Sequence, residues 1–126
     1  MLKKTPLGQV LGLGSAKAGT EHWWHQRVTA IAGIPLVIFL VGYLLVHRGA
    51  SRADIVASMH NPFVAILMGL TIANLVWHMR LGLQVVIEDY VHTDHTKYAL
   101  LLLNTFFAVV MAVAGLYAIL KMSIGL

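Results

Sequence analysis

Three long apolar segments, at residues 28–46, 62–87 and 98–122, decide what this chain can fold into. At about 1.5 Å per residue, a helix over each segment is long enough to cross a hydrocarbon core of about 30 Å. Lipid offers no hydrogen-bond partners, so backbone groups inside it must pair within their own segment. The sequence therefore predicts an all-α membrane protein with three transmembrane helices.

The composition supports this prediction and excludes several classes of protein. Hydrophobic residues make up 59% of the 126 residues and charged residues 11%, which is more apolar surface than a soluble domain of this size can bury. The net charge of +4 comes from scattered Lys and Arg residues that form no basic stripe, so nucleic acid is not an expected partner. The absence of Cys excludes structural disulfides and thiolate-held iron–sulfur clusters in this chain.

The distribution of cationic residues predicts an orientation. Residues 1–27 are predicted to form an N-terminal tail and interfacial segment, and residues 28–126 a three-helix transmembrane anchor. Three spans place the N-terminal tail on the same side of the membrane as the second loop of this anchor. That side holds more cationic residues than the other: Lys3, Lys4, Lys17, Arg27 and Lys97 against Arg48, Arg52 and Lys121. Because cytoplasmic segments carry an excess of Lys and Arg, the N-terminus is predicted to be cytoplasmic.

Cap and turn signals mark the ends of the helices. Ser51 and Asp54 have the spacing of a capping box, which predicts a short surface helix in the first loop. Asn61 followed by Pro62 is typical of an N-cap and a first helical residue. The second loop, residues 91–96, is short, so the second and third spans are expected to be antiparallel neighbours.

One histidine, His78, lies deep inside the second apolar segment. Ionisable groups at such depth are rare and usually functional. At about 100° per residue, Gly82 and Asp89 lie on the same side of the helix, and Gly82 leaves room for a flat ligand. His78 is about 14 Å from the membrane surface, which suits a haem standing on edge. A lone histidine can also hydrogen-bond to a neighbouring helix, so packing and ligation both stay open on spacing alone.

A haem at His78 would require groups from elsewhere. Low-spin b-type haem takes two axial ligands, often both imidazole. The other six histidines lie at or beyond the ends of the apolar segments: His22, His25, His47, His60, His92 and His95. The second ligand is therefore expected from another chain, which makes this chain part of a heteromeric helical bundle or a homodimer. Arg27, at the start of the first span, suits a haem propionate.

Arg80 lies on nearly the opposite side of the second helix from His78. Gln84 and Glu88 follow it at four-residue steps. Arg80 is expected to extend to the cytoplasmic surface along Gln84, or to pair with Glu88 or with a partner. A structural or docking role is favoured over a catalytic one.

Two groups of residues resemble those of a known family. They are His78, Gly82, Asp89 and Tyr90 in the second segment, and residues 14–17 and 22–30 before and at the start of the first. Together they resemble the smaller hydrophobic membrane-anchor subunit of succinate dehydrogenase, respiratory complex II, in the bacteria closest to mitochondria. The resemblance covers most of the chain, and its most specific part is the twelve-residue step from His78 to Tyr90.

The resemblance implies a role for each of these residues. His78 would be one axial ligand of a haem b iron, and a second, larger anchor subunit would supply the other. Tyr90 would donate a hydrogen bond to ubiquinone, Asp89 would support the quinone site or its proton delivery, and Arg27 would contact a propionate. Succinate oxidation would occur on other subunits, a flavoprotein and an iron–sulfur subunit docked on the cytoplasmic face.

The family also implies a location and leaves alternatives. The chain would be a multi-pass protein of the bacterial inner membrane that serves electron transport and the tricarboxylic acid cycle. An anchor of a fumarate reductase, running in the reverse direction, is the nearest alternative. A haem-free structural or assembly protein is the second. A small ion channel would need polar residues along all three spans, which the first and third do not have.

Overall fold

The computed structural model describes residues 6–10 and 18–126, and this part of the chain is almost entirely helical. Its elements in chain order are α1 (Pro6–Val10), α2 (Ala18–Val46), α3 (Arg52–Met59), α4 (Pro62–Tyr90) and α5 (Asp94–Ser123). The described residues contain no strand, so the predicted all-α class is confirmed. Lys3, Lys4 and Lys17, on which the predicted orientation partly rests, lie outside these ranges. Residues 14–17, which carry part of the family resemblance, lie outside them as well.

Three of the helices, α2, α4 and α5, are long and apolar enough to cross a membrane, as predicted. The first of them begins at Ala18, ten residues before the apolar segment does. The polar residues that precede the segment include no proline, so nothing ends the helix there. Arg27, which is predicted at the start of the first span, therefore lies inside a continuous helix that begins nine residues before it.

Both predicted caps are present. The Ser51 hydroxyl accepts a hydrogen bond from the Asp54 amide at 3.2 Å, and the Asp54 carboxylate accepts one from the Ser51 amide at 2.9 Å. Hydrogen bonds from the Ser51 hydroxyl and then the Ser51 amide lower the pKa of Asp54. Asn61 Oδ1 accepts from the Phe63 amide at 3.0 Å, and Pro62 begins α4. Residues of the segment between α2 and α4 thus cap the N-terminal ends of α3 and α4.

The long helices form an open row with α4 in the middle. Helix α4 packs against both α2 and α5, and in the described part of the chain α2 and α5 do not contact each other. The antiparallel packing of the second and third spans is as predicted. Six of the described side chains are buried: Met59, Met68, Thr71, Leu81, Asn104 and Ala108. A row with so small a core leaves two broad faces for lipid or other chains to cover.

Glycine allows α4 and α5 to approach closely. A Cβ atom built on Gly115 of α5 would lie 2.7 Å from Ile72 Cγ2 of α4. One turn earlier on α4, a Cβ on Gly69 would lie 3.6 Å from Leu116, at ordinary contact distance. Small residues at such crossings let helix backbones pack without a side chain between them. Of these two glycines, Gly115 lies at the closer contact between α4 and α5.

We expect Gly115→Ala to destabilise the protein, although Ala is ordinarily the better helix former. The added methyl must displace the branched Ile72 side chain, at a cost of about 1–3 kcal/mol. Thermal unfolding of the purified complex measures the effect. Gly42→Ala is the matched control, since nothing lies within 4 Å of a Cβ built there. Equal midpoints for the two variants would show that the α4–α5 contact opens without cost.

Candidate functional site

His78 lies near the middle of α4 with its ring against α2. Its Nδ1 atom is 2.9 Å from Thr29 Oγ1. The Thr29 hydroxyl is also 2.8 Å from the carbonyl oxygen of His25, one turn earlier on α2, and it donates its single proton to that oxygen. The Thr29 oxygen can then only accept from His78, so Nδ1 carries the ring proton. His78 Nε2 is left with a free lone pair, the form of imidazole that binds a metal.

A second polar contact joins the same two helices. Asn74, one turn before His78, donates from Nδ2 to the carbonyl oxygen of Thr29 at 3.0 Å. The absence of a side chain on Gly33 admits the amide, since a Cβ there would lie 3.2 Å from Asn74 Nδ2. Thr29 is thus bound to α4 through both its hydroxyl and its carbonyl. The two hydrogen bonds fix the position of His78 along α2.

A groove of about 470 Å³ opens beside His78 between α2 and α4. Its polar residues are Thr29, Asn74 and His78, and the rest of the lining is apolar. Ile34 and Ile38 line it and are 61% and 67% exposed, so the groove lies on the surface of the chain. A flat apolar ligand held here would need a second chain to cover it.

Gly82 makes no part of this groove. The sequence predicts that Gly82 leaves space for a flat ligand one turn beyond His78. Nothing lies within 4 Å of a Cβ built on Gly82, so the space is there. The lining of the groove extends instead from His78 back toward Asn74 and Leu75. Gly82 therefore borders open space rather than the groove itself.

Arg27 lies on the groove side of α2 without contacting His78. Its guanidinium is 5.6 Å from the centre of the Trp23 ring, and the side chain is exposed. At about 100° per residue, Arg27 lies within about 20° of Ile34 and Ile38 around the helix axis. It precedes Ile34 by seven residues, or about 10 Å along the helix. A guanidinium is thus available above the groove, toward the N-terminal end of α2.

Two buried polar atoms of α2 have no hydrogen-bond partner among the described residues. They are His22 Nε2 and Gln26 Oε1, on the side of the helix that carries Thr29. Buried polar atoms are rarely left unpaired, so these two indicate a polar group that lies outside the described residues. A free imidazole nitrogen beside an apolar surface groove, with the Arg27 guanidinium above it, fits a haem with anionic propionates, whereas Gln26 Oε1 needs a hydrogen-bond donor.

Asp89 and Tyr90 lie at the C-terminal end of α4. Both are exposed, Tyr90 by 79%, and neither side chain hydrogen-bonds to another described residue. Asp89 is on the His78 side of the helix, and Tyr90 is about 18 Å from His78 along the axis. The structure therefore leaves both side chains available at one helix end and brings neither into contact with His78.

Arg80 does not point toward the nearer end of α4. Its guanidinium is 5.5 Å from the centre of the Trp77 ring and 3.5 Å from Thr105 Oγ1. Gln84 instead donates to Glu88 at 3.0 Å. Helical side chains lean toward the N-terminus of their helix, which here directs Arg80 deeper into the span. The predicted path along Gln84 and the predicted pair with Glu88 are both wrong.

Thr29 is the site residue for which sequence reasoning predicted no role. It lies inside the run of residues 27–30 that carries part of the family resemblance, and it is polar at the start of an apolar segment. Asn74 is a polar residue one turn before His78, in the middle of another apolar segment. Polar residues within spans commonly hydrogen-bond between helices, which is the signal that could have paired these two.

Comparison with known proteins identifies the family. A family model described as the transmembrane subunit of succinate dehydrogenase/fumarate reductase matches residues 1–115. The succinate dehydrogenase hydrophobic membrane anchor subunit of Paracoccus denitrificans is 30% identical over 124 residues, which cover 96% of this chain and 93% of that one. No solved structure matches the chain.

Two further relatives agree with this result. The corresponding subunit of Rickettsia bellii is 30% identical over 106 residues, covering 84% of this chain and 85% of that one. The succinate dehydrogenase membrane anchor subunit of Reclinomonas americana is 34% identical over 84 residues, covering 64% and 70%. The chain therefore belongs to the family of succinate dehydrogenase/fumarate reductase transmembrane subunits, among the hydrophobic membrane anchor subunits of succinate dehydrogenase.

Proposed function

We propose that this chain binds a b-type haem through His78 Nε2 and completes the ubiquinone-reducing site of a succinate:ubiquinone oxidoreductase. It does so together with a second anchor subunit, and it holds a flavoprotein and an iron–sulfur subunit at the cytoplasmic side of the bacterial inner membrane. The observation that carries the proposal is the 2.9 Å contact between Thr29 Oγ1 and His78 Nδ1. That contact leaves Nε2 unprotonated beside an apolar groove.

The second haem ligand comes from the partner anchor subunit. His22 and His25 lie within the first eight residues of α2, and the remaining histidines lie in loops or at helix ends. When bound, the haem supplies a group that can hold one electron. Thr29 draws the Nδ1 proton of His78 toward its oxygen, which increases the electron density that His78 donates. Arg27 supplies the cation for a propionate.

Ubiquinone binds at the end of α4 that carries Tyr90. The Tyr90 hydroxyl donates to a quinone carbonyl oxygen and stabilises the negative charge that develops there on reduction. Two-electron reduction of a quinone to a quinol also takes up two protons. Asp89 is adjacent and exposed, so it can exchange protons with water and pass them to the site.

Two alternatives have some support. The family model names fumarate reductase as well, and the same geometry would serve an anchor that passes electrons in the opposite direction. The relatives described above carry the succinate dehydrogenase name, which favours that direction. A haem-free anchor would use the Thr29–His78 contact for helix packing alone.

Replacing His78 separates ligation from packing. We expect His78→Ala to abolish or strongly reduce the haem content of the complex purified through a tag on this chain. A reduced-minus-oxidised spectrum, referred to the flavin content, measures haem per complex. His95→Ala, at an exposed position near the start of α5, is the control and should keep its haem. Full haem content in His78→Ala, with all partner subunits present, would assign His78 to packing.

The Thr29 hydroxyl should tune the haem. Thr29→Val removes the acceptor for the Nδ1 proton, so His78 donates less strongly and the haem midpoint potential should rise. Loss of a hydrogen bond to a metal-binding histidine also lowers metal affinity by about 10–100-fold, so haem occupancy should fall. Thr29→Ser keeps a hydroxyl and should stay near the wild-type potential. A redox titration of the haem that gives one potential for both variants would contradict this role.

Tyr90 is expected to contribute to ubiquinone reduction and not to succinate oxidation. Tyr90→Phe removes one hydrogen-bond donor, and we expect ubiquinone reduction to fall about tenfold or more. Succinate oxidation with an artificial dye acceptor should persist. Tyr98→Phe, another exposed tyrosine near the start of α5, is the matched control. Equal loss of both activities in Tyr90→Phe would indicate failed assembly instead of a quinone contact.

A further inference from the structure

The side of α4 opposite His78 carries a charge inside the span. A groove of about 410 Å³ lies there between α4 and α5. Small residues from both helices, Ala73, Ala108 and Ala112, form part of its lining, and Arg80 and Trp77 lie in it as well. We refer to this groove and its lining as the Arg80 face.

The Arg80 guanidinium is held at depth. The Cα atom of Arg80 is ten residues, or about 15 Å, from the Tyr90 end of α4. Its guanidinium is directed away from that end, toward Trp77 and Thr105. Asn104 donates from Nδ2 to the Arg80 carbonyl oxygen at 2.9 Å, which fixes the backbone at the same point. A guanidinium has five N–H donors and stays charged in proteins, and Thr105 accepts only one of them.

This chain cannot neutralise that charge, and neither can a second copy of it. Its five acidic residues all lie near helix ends or in the loop between α2 and α4: Glu21, Asp54, Glu88, Asp89 and Asp94. None of these carboxylates forms an ion pair with Arg80 in the described part of the chain, and Glu88 accepts from Gln84 instead. Lipid phosphates lie at the interface, about 15 Å from the centre of a 30 Å hydrocarbon core. The anion that pairs with Arg80 must therefore reach the middle of the membrane by another route.

We propose that the Arg80 face docks a transmembrane helix of a different chain that carries an Asp or Glu side chain at the depth of Arg80. A guanidinium and a carboxylate form two parallel hydrogen bonds, which would use the donors that Thr105 leaves free. Ala73, Ala108 and Ala112 let the backbone of that helix come close. The proposal concerns the face opposite the haem groove, so it does not depend on haem binding at His78.

Photo-crosslinking in the wild-type charge background identifies what covers the Arg80 face. A diazirine-bearing leucine analogue replaces Ala112, which lines the groove, or Ala114, which lies about 200° away around α5 at nearly the same depth. In the purified complex, the analogue at 112 should crosslink to a transmembrane peptide of another subunit that contains an acidic residue, and the analogue at 114 should not. Crosslinks from 112 to lipid, to quinone, to a second copy or to a helix with no acidic residue would overturn the proposal.

Charge removal provides the second measurement on the same complex. Arg80→Leu leaves the partner carboxylate buried and unpaired, so the intact complex recovered should fall. The acidic residue of the crosslinked peptide is then changed to Leu in the Arg80→Leu background. This second change should restore the recovery, because two apolar side chains replace an ion pair. Arg48→Leu, at an exposed loop position, is the control. Recovery of the Arg80→Leu complex equal to that of the Arg48→Leu complex, or no restoration by the second change, would overturn the pairing.

Discussion

In hydrocarbon every polar group needs a partner from protein, and this requirement determines how the three long helices are placed. Helix α4 satisfies it on two sides. Asn74 and His78 hydrogen-bond to Thr29 of α2, while Asn104 and Thr105 of α5 bond to the backbone and side chain of Arg80. Each of these contacts is a pairing that lipid cannot replace, so together they define which neighbour lies on which side of the middle helix.

The same contacts prepare the candidate site. The backbone carbonyl of His25 accepts a hydrogen bond from the Thr29 hydroxyl, and Thr29 in turn determines which nitrogen of His78 is free. A local feature of one helix thereby controls the chemistry of a side chain on another. The groove beside His78 is nevertheless open on one side, and the polar atoms His22 Nε2 and Gln26 Oε1 have no partner within the described chain. This open side is where we propose that the second anchor subunit completes the site.

Much of this arrangement can be predicted from the sequence, and the failures have physical causes. Apolar length predicted three spans, and short-range chemistry predicted the caps at Ser51 and Asn61. Apolar length could not locate the start of α2, because a helix can continue through polar residues beyond the membrane. The direction of Arg80 depends on the lean of helical side chains and on Thr105, which is distant in sequence. The pairing of Thr29 with His78 likewise requires knowing which helices are neighbours.

The open row of helices also links folding to subunit concentration. In the described part of the chain α2 and α5 do not contact each other, so packing on α4 supplies only part of the free energy that holds the long helices in one conformation. The remainder comes from binding, so the apparent stability of the chain increases with the concentration of its partners, by mass action. A free energy of unfolding measured on the isolated chain therefore does not equal the value for the chain in the complex. Folding and assembly of this subunit are therefore one coupled equilibrium.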